Sequence, residues 1–324
     1  NVALGFTALQ SDTDGVANVA IGSRAGRYLV TGNSNVAIGA YALQTSTGVS
    51  NIIAIGDSAL YSSTTGTLNT AVGSKVLFTN LTGSSNTALG NNALYLNTSG
   101  SNNVAIGVTA LHANVSQSYN VAVGDYTGNL LSSTSGTLIG WNADVSSSGY
   151  SNVTALGYSA LTTASNQVRI GNSSVTSIGG YVGWSNISDG RFKKNVQSNV
   201  PGLEFITKLQ PVTYNLDITG INAKIGIGSD KDAETAKTSG SRMLDEQAVA
   251  AKQSITYTGF IAQQVELAAK QCGFNFSGVD APKNENDLYG LRYAEFVVPL
   301  VKAVQEQQEM IEELKKEIEA LKNK

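Results

Sequence analysis

The sequence predicts a mixed fold: a β-solenoid of 17-residue repeats, then a charged α+β region that ends in a coiled-coil helix. Three observations predict it: a glycine that returns every 17 residues, a change of composition near Ser188, and a three-four apolar alternation at the C-terminus.

The repeats come first because self-similarity at a fixed period overrides local readings. The motif Asn-Val-Ala-Ile-Gly, followed two residues later by Ala-Leu, sets glycine at Gly5, Gly22, Gly39, Gly56, Gly73, Gly90, Gly107 and Gly124, a spacing of 17, and then at Gly140, Gly157 and Gly171. A short strand such as Asn35-Val36-Ala37-Ile38 is followed by a tight turn at Gly39, and Ala42-Leu43 adds a second apolar patch before a Ser/Thr/Gly-rich connection. Each repeat is one coil, too small to bury its apolar face alone, so it must stack on its neighbours. Coils about 4.8 Å apart would give a rod on the order of 50 Å long. The apolar residue before each glycine (Leu4, Ile21, Ile38 and their equivalents to Ile170) is expected to form the interior row. Asn1, Asn18, Asn35, Asn69, Asn86, Asn103 and Asn120 are expected to form a side-chain ladder. The asparagine is out of register by one at Asn51 and Asn152, and the Gly140 coil has no such asparagine.

Composition then draws a boundary. Residues 1–187 contain no proline, no glutamate, five aspartates and four basic residues, whereas all four prolines, 19 acidic and 17 basic residues follow from Ser188 onward. The expected organisation is repeats over 1–172, a junction over 173–187 and a second domain over 188–324. With 41% hydrophobic residues the chain has a packed core, and a net charge of −3 without basic blocks argues against a nucleic-acid surface. No apolar run reaches the length of a membrane span. Asn1 opens inside a repeat rather than in a signal sequence, so the chain reads as a fragment of something longer. Cys272 has no partner for an internal disulfide and reads as a small, at least half-buried apolar residue.

At the C-terminus Val297, Leu300, Val304, Ile311, Leu314, Ile318 and Leu321 form a heptad seam from about Phe296 to Lys324, interrupted by Gln307. Pro299 is tolerable within the first turn. Glu317 and Lys322 suit parallel chains. β-branched residues at a with leucine at d lean toward two strands.

The repeats resemble the head repeats of trimeric autotransporter adhesins and the equivalent repeats of bacteriophage fibres. That resemblance implies a trimeric left-handed β-roll over roughly residues 1–172. Where the repeats stop, Ser188-Asp189-Gly190-Arg191-Phe192-Lys193-Lys194 resembles the opening of the intramolecular chaperone domain of phage tailspikes and fibres, endosialidase type, whose pattern reads Ser-Asp-x-Arg-apolar-Lys. Three further motifs follow in that family's order: Leu209-Gln210-Pro211-Val212-Thr213-Tyr214 as a strand, Gly259-Phe260-Ile261-Ala262-Gln263-Gln264-Val265-Glu266 as the start of a helix, and Leu291-Arg292-Tyr293-Ala294-Glu295-Phe296 leading into the last helix. The polar stretch from about Ile218 to Ser254 is longer than the family's and reads as an insertion. For the last helix the resemblance implies three chains.

The same resemblance implies a self-cleaving dyad, with Ser188 as nucleophile, Lys193 as base and the Ile187–Ser188 peptide as the bond cut. The chemistry is sound if the lysine can be made neutral, because at a reference pKa of about 10.4 roughly one lysine in a thousand or fewer is deprotonated at neutral pH. Arg191 and Lys194 are candidate cationic neighbours that would lower it. Lys194 is the alternative base, and only the family spacing selects Lys193. Against this stands the plain reading, in which a Ser-Asp step before basic residues caps an ordinary surface turn.

Other signals point away from chemistry. His112 has no second ligand at a useful spacing and is expected to be an exposed coil residue. No glycine run has the Lys and Ser/Thr of a phosphate loop. Trp141, Trp184 and the tyrosines read as packing rather than sugar platforms. A glycosidase needs two carboxylates at a set separation, and the repeats offer only Asp12, Asp14, Asp57, Asp125 and Asp144. The expectation is a phage or phage-like fibre tip, assembled as a homotrimer in the host cytoplasm and carried on the virion, with no cofactor or metal and with a host-surface receptor, for which a glycan is the candidate. The rivals are a bacterial surface adhesin of the same organisation, a glycan-degrading tailspike fragment, and a fibre whose dyad is silent.

Overall fold

A computed structural model describes residues 1–130, 134–227 and 246–323. They form two compact units, Asn1–Thr176 with Ile218–Val249, and Ser177–Asp217 with Ala250–Lys324.

The repeats of the first unit are a parallel β-solenoid. Eleven three-residue strands, from Val2–Leu4 to Val168–Ile170, pair in parallel, each with the strand one coil on. The register repeats the sequence period, Val36 pairing with Ile53 and Ala37 with Ala54. Later coils add a second, two-stranded parallel pair, Asp144–Val145 with Leu161–Thr162.

The interior differs from expectation in one respect. The residue before the glycine does not face inward: Leu4, Leu89, Ile106, Ile139 and Ile170 are exposed, and their equivalents are half-buried. The buried residue is the middle one, Ala20, Ala37, Ala54, Ala71, Ala88, Ala105, Ala122, Leu138 and Ala155. Side chains of a strand alternate between faces, so of three residues only the central one points in. A coil of 17 residues leaves room there mainly for a methyl group. The larger interior volume is filled on the opposite wall by Leu43, Leu60, Leu77, Leu94 and Leu111.

Those leucines sit at φ between 48 and 53 with Leu9 included, in the left-handed region. There a non-glycine residue costs about 1–2 kcal/mol. Full burial of a leucine returns about 1.5–3 kcal/mol, and each amide donates to the next coil, as from Leu77 N to the Ala93 carbonyl at 3.0 Å. Both gains require a neighbouring coil. The motif glycine is needed for another reason: Gly56 has φ +133, and a Cβ on it would overlap the carbonyl of Gly73 in the coil above.

The asparagine ladder is present. Asn86 Oδ1 accepts from Asn103 N at 3.0 Å, and Asn86 Nδ2 donates to the Gly100 carbonyl at 2.9 Å. At Asn51 and Asn152 the asparagine stands one place out of register, as the sequence has it, while the strand pairing is kept. Ile52 and Val153 take the buried ladder column, Ile52 N donating to Asn35 Oδ1 at 3.0 Å. Asn51 and Asn152 move one place back to positions of φ 58 and 53, which asparagine tolerates better than most residues. In the Gly140 coil Gly136 fills the column and donates to Asn120 Oδ1 at 2.9 Å. A second ladder, Asn80–Asn97–Asn114, runs beside the first through Nδ2 to Oδ1 bonds of 2.7 and 2.9 Å.

His112 is half-buried rather than exposed. It closes a column of stacked rings, Tyr61–Phe78–Tyr95–His112, with centroids 5.1 to 5.3 Å apart. Burial pushes its pKa below the usual histidine value. Trp141 stacks on Tyr158 at 5.0 Å in the same manner.

The second unit gathers around Phe205, Val265, Ala268, Ala269, Phe276 and Phe296. Strand Val212–Tyr214 pairs antiparallel with Tyr257–Gly259, and Val279–Asp280 with Gly290–Leu291. Among the described residues the α-helices are α1 (Leu203–Ile206), α2 (Ile218–Lys224), α3 (Glu246–Gln253), α4 (Ala262–Gln271) and α5 (Val297–Lys322). The expected helix begins at Ala262, one residue after Ile261, and a 3-10 turn over Tyr293–Phe296 leads into α5. Of the expected insertion, residues 228–245 lie outside the described residues; α2 and α3 flank them. Cys272 is half-buried with its Sγ 3.6 Å from the Glu204 carbonyl.

Two contacts fix α1 on α5. Gly202 leaves no room for a Cβ beside Ala303 N and the Glu306 carboxylate, and Glu306 Oε2 accepts from Leu203 N at 2.7 Å, capping α1. This packing uses the Pro299–Ala303–Glu306 side of α5. The heptad seam stays exposed from Val297 to Leu321, so the helix does not spend its apolar stripe on its own domain.

Candidate functional site

The sequence around Ser188 makes a turn, and the turn makes a contact. Gly190–Phe192 is one turn of 3-10 helix, capped by Asp189, whose carboxylate accepts from Arg191 N at 3.0 Å. Phe192 N and Lys193 N then donate to the carbonyls of Asp189 and Gly190 at 3.1 and 3.2 Å. A short polar side chain at the cap and glycine after it favour this geometry. Reversing the chain over five residues brings the two ends together: Lys193 Nζ donates to Ser188 Oγ at 2.8 Å. The capped surface turn and the Ser-Lys pair expected from the sequence are therefore one structure.

Arg191 does not stand free beside the lysine. Its Nε lies 3.1 and 3.0 Å from the two Asp189 oxygens and its Nη2 2.6 Å from Oδ2, a forked ion pair. The fork, with the backbone N–H of Arg191 second, holds the Asp189 carboxyl below the usual carboxylate range, and Asp189 raises the guanidinium in turn. Lys194 makes no hydrogen bond or ion pair among the described residues. Ile187, whose carbonyl carbon belongs to the bond in question, is 95% exposed, and Ser188 and Lys193 are exposed as well.

The other motif residues meet inside the second unit, apart from the turn. Tyr293 Oη accepts from Phe260 N at 3.1 Å, and a Cβ on Gly259 would collide with the same hydroxyl. Tyr214 stacks on Tyr257 at 5.9 Å; burial first, and then the neighbouring Tyr293, raise its pKa. These residues build the fold of the domain. No group of three His, Cys, Asp or Glu side chains gathers for a metal ion among the described residues.

The carboxylates of the repeats hold turns. Asp12 accepts from Gly15 N at 2.8 Å, and buried Asp144 accepts from Val145 N at 2.8 Å and Leu130 N at 3.1 Å.

Neither the curated proteins nor the solved structures gave a match to the chain. A family model did, and its first matched residue is the serine of the turn. Behind a β-solenoid of 17-residue repeats, residues 188–274 match the family described as the chaperone of endosialidase.

Proposed function

We propose that the chain is the tip region of a phage or phage-like fibre, whose second domain aligns three chains and is then removed by its own Ser188–Lys193 dyad. The observation that carries this is the 2.8 Å contact between Lys193 Nζ and Ser188 Oγ at the first residue of the family match.

In the proposed reaction Lys193 first loses its proton and then accepts that of Ser188 Oγ. The oxygen attacks the carbonyl carbon of Ile187, and the C–N bond breaks as the Ser188 nitrogen takes up a proton. The acyl group now sits on Oγ as an ester, which water hydrolyses to an Ile187 carboxylate and a free serine hydroxyl. The products are a shaft ending at Ile187 and a domain beginning with the Ser188 amine.

Association of three chains is supported by two apolar surfaces that a single chain leaves uncovered, the outward residues of the solenoid strands and the seam of α5. Identical coils can pair in several registers at similar energy, so a domain that associates first would fix the register before the shaft zips. A host-surface receptor and a place on the virion follow from the fibre reading. Denaturing gels and N-terminal sequencing of the expressed chain test it: two bands, the smaller beginning Ser-Asp-Gly-Arg, are expected from wild type and one band from Ser188→Ala. A single full-length wild-type band after folding refutes the dyad.

A further inference from the structure

We propose that Arg191 is a positioning residue for this cut: it occupies both oxygens of Asp189, so that the carboxylate beside the nucleophile cannot capture Lys193. The inference rests on the self-cleaving reading and adds a role to it.

Asp189 and Lys193 flank a single 3-10 turn, both in extended backbone, and the ammonium of Lys193 reaches Ser188, the residue next to the carboxylate. A free carboxylate at that place would compete for the ammonium. In this turn the lysine goes instead to Ser188 Oγ at 2.8 Å. The difference is Arg191, whose planar fork meets both carboxylate oxygens at once, a fit the single ammonium of lysine cannot match. Among the described residues, every hydrogen bond and ion pair of residues 188–199 is made within that segment. The charged groups of the turn that carries Lys193, among the described residues, are Asp189, Arg191 and Lys194.

The consequence is chemical. A lysine that serves as a base has to give up a proton, and a facing carboxylate makes it hold that proton. With its carboxylate taken, the turn keeps the benefit of Asp189 as a cap without letting it silence the base. Arg191 thus acts by occupying a competitor, which differs from lowering the affinity of Lys193 for protons through its own positive charge.

The test is the pH dependence of cutting in full-length chains recovered uncut from inclusion bodies and diluted into buffers from pH 6 to 9.5. Rates are normalised to the trimer fraction on a native gel. Arg191→Gln frees the carboxylate, so cutting at pH 7 should fall about tenfold and the midpoint of its pH profile should rise by about one unit. Asp189→Asn keeps a good cap and removes the charge, so it should cut at least as fast as wild type. The decisive variant is Asp189→Asn with Arg191→Gln, which should return to within about twofold of Asp189→Asn because no carboxylate remains to be held.

A double variant as slow as Arg191→Gln, or a slower Arg191→Gln whose pH midpoint does not move, would overturn the proposal and leave Arg191 a staple of the turn. A rise in rate for Arg191→Gln would overturn it as well. Failure of the self-cleaving reading looks different: wild type would remain uncut, or Ser188→Ala would cut.

Discussion

Replacing Asn86 with alanine tests whether the asparagine ladder stabilises the stack or merely lines it. The side chain is fully buried. Its Oδ1 accepts from Asn103 N at 3.0 Å and Asn103 Nδ2 at 3.1 Å, and its Nδ2 donates to the Gly100 carbonyl at 2.9 Å. Two of these partners keep a second bond: Asn103 Nδ2 to the Gln117 carbonyl at 2.9 Å, and the Gly100 carbonyl from Asn97 Nδ2 at 3.0 Å. The group left without a partner is the Asn103 amide. One orphaned buried donor costs about 1–3 kcal/mol, which is about a five- to 150-fold loss of hydrogen-exchange protection at that amide. Exchange at Asn103, followed by mass spectrometry or NMR in the uncut Ser188→Ala background, reads this locally, without assuming that the repeats unfold in one step. Asn86→Ile should unfold later in urea than Asn86→Ala, since Ile52 already fills the same column and replaces the lost volume. Unchanged exchange at Asn103 in the alanine variant refutes the account, as does an isoleucine variant weaker than alanine.

Three further outcomes are expected. Burial holds the pKa of His112 below its free value of 6.5, so the unfolded chain binds the proton more readily; its contribution to stability is complete above pH 6.5 and is lost as pH falls through the folded value. His112→Phe should keep the ring column and flatten part of the decline in urea midpoint between pH 7.5 and 5, and an identical decline in both proteins counts against it. Gly202→Ala should loosen α1 from α5 by about 1–3 kcal/mol, as overpacking does, read as a lower urea midpoint of the second domain. Ile311→Asp, Leu314→Asp and Ile318→Asp together should weaken association in light scattering and slow cutting in parallel, and normal cutting in a demonstrated monomer would separate the two events.

The solenoid was legible because its period is longer than any local preference and recurs in every coil. Which wall faces inward was not. In Val36-Ala37-Ile38 the two large residues flank a small one, and hydrophobicity alone puts the large ones inside; the cross-section of the coil decides for alanine. The one-place offset at Asn51 and Asn152 was legible, but not that Ile52 and Val153 fill the column while the asparagines take the left-handed bend one residue earlier. In the second domain the motifs at Val212–Tyr214 and Ala262–Gln271 marked a strand and a helix, yet the bond between Leu203 and Glu306 spans the whole domain and has no local signature. Around Ser188 the resemblance named the two side chains that meet, Ser188 and Lys193, but not the partner of Arg191. Arg191 was expected to act on Lys193, and the turn directs it to Asp189.

The three-residue strands have a consequence for how such a shaft can vary in length. Between Gly124 and Gly140 the coil has 16 residues, and between Gly157 and Gly171 it has 14, yet Val123 still pairs with Ile139 and Leu156 with Ile170. The shortfall is absorbed in the connections while the strand pairing is kept. Gain or loss of one whole coil therefore changes the length of the solenoid by a fixed step of about 4.8 Å and disturbs only the two faces it joins. Length can be adjusted in units, by duplication or deletion in the gene, while the surfaces at either end stay as they were.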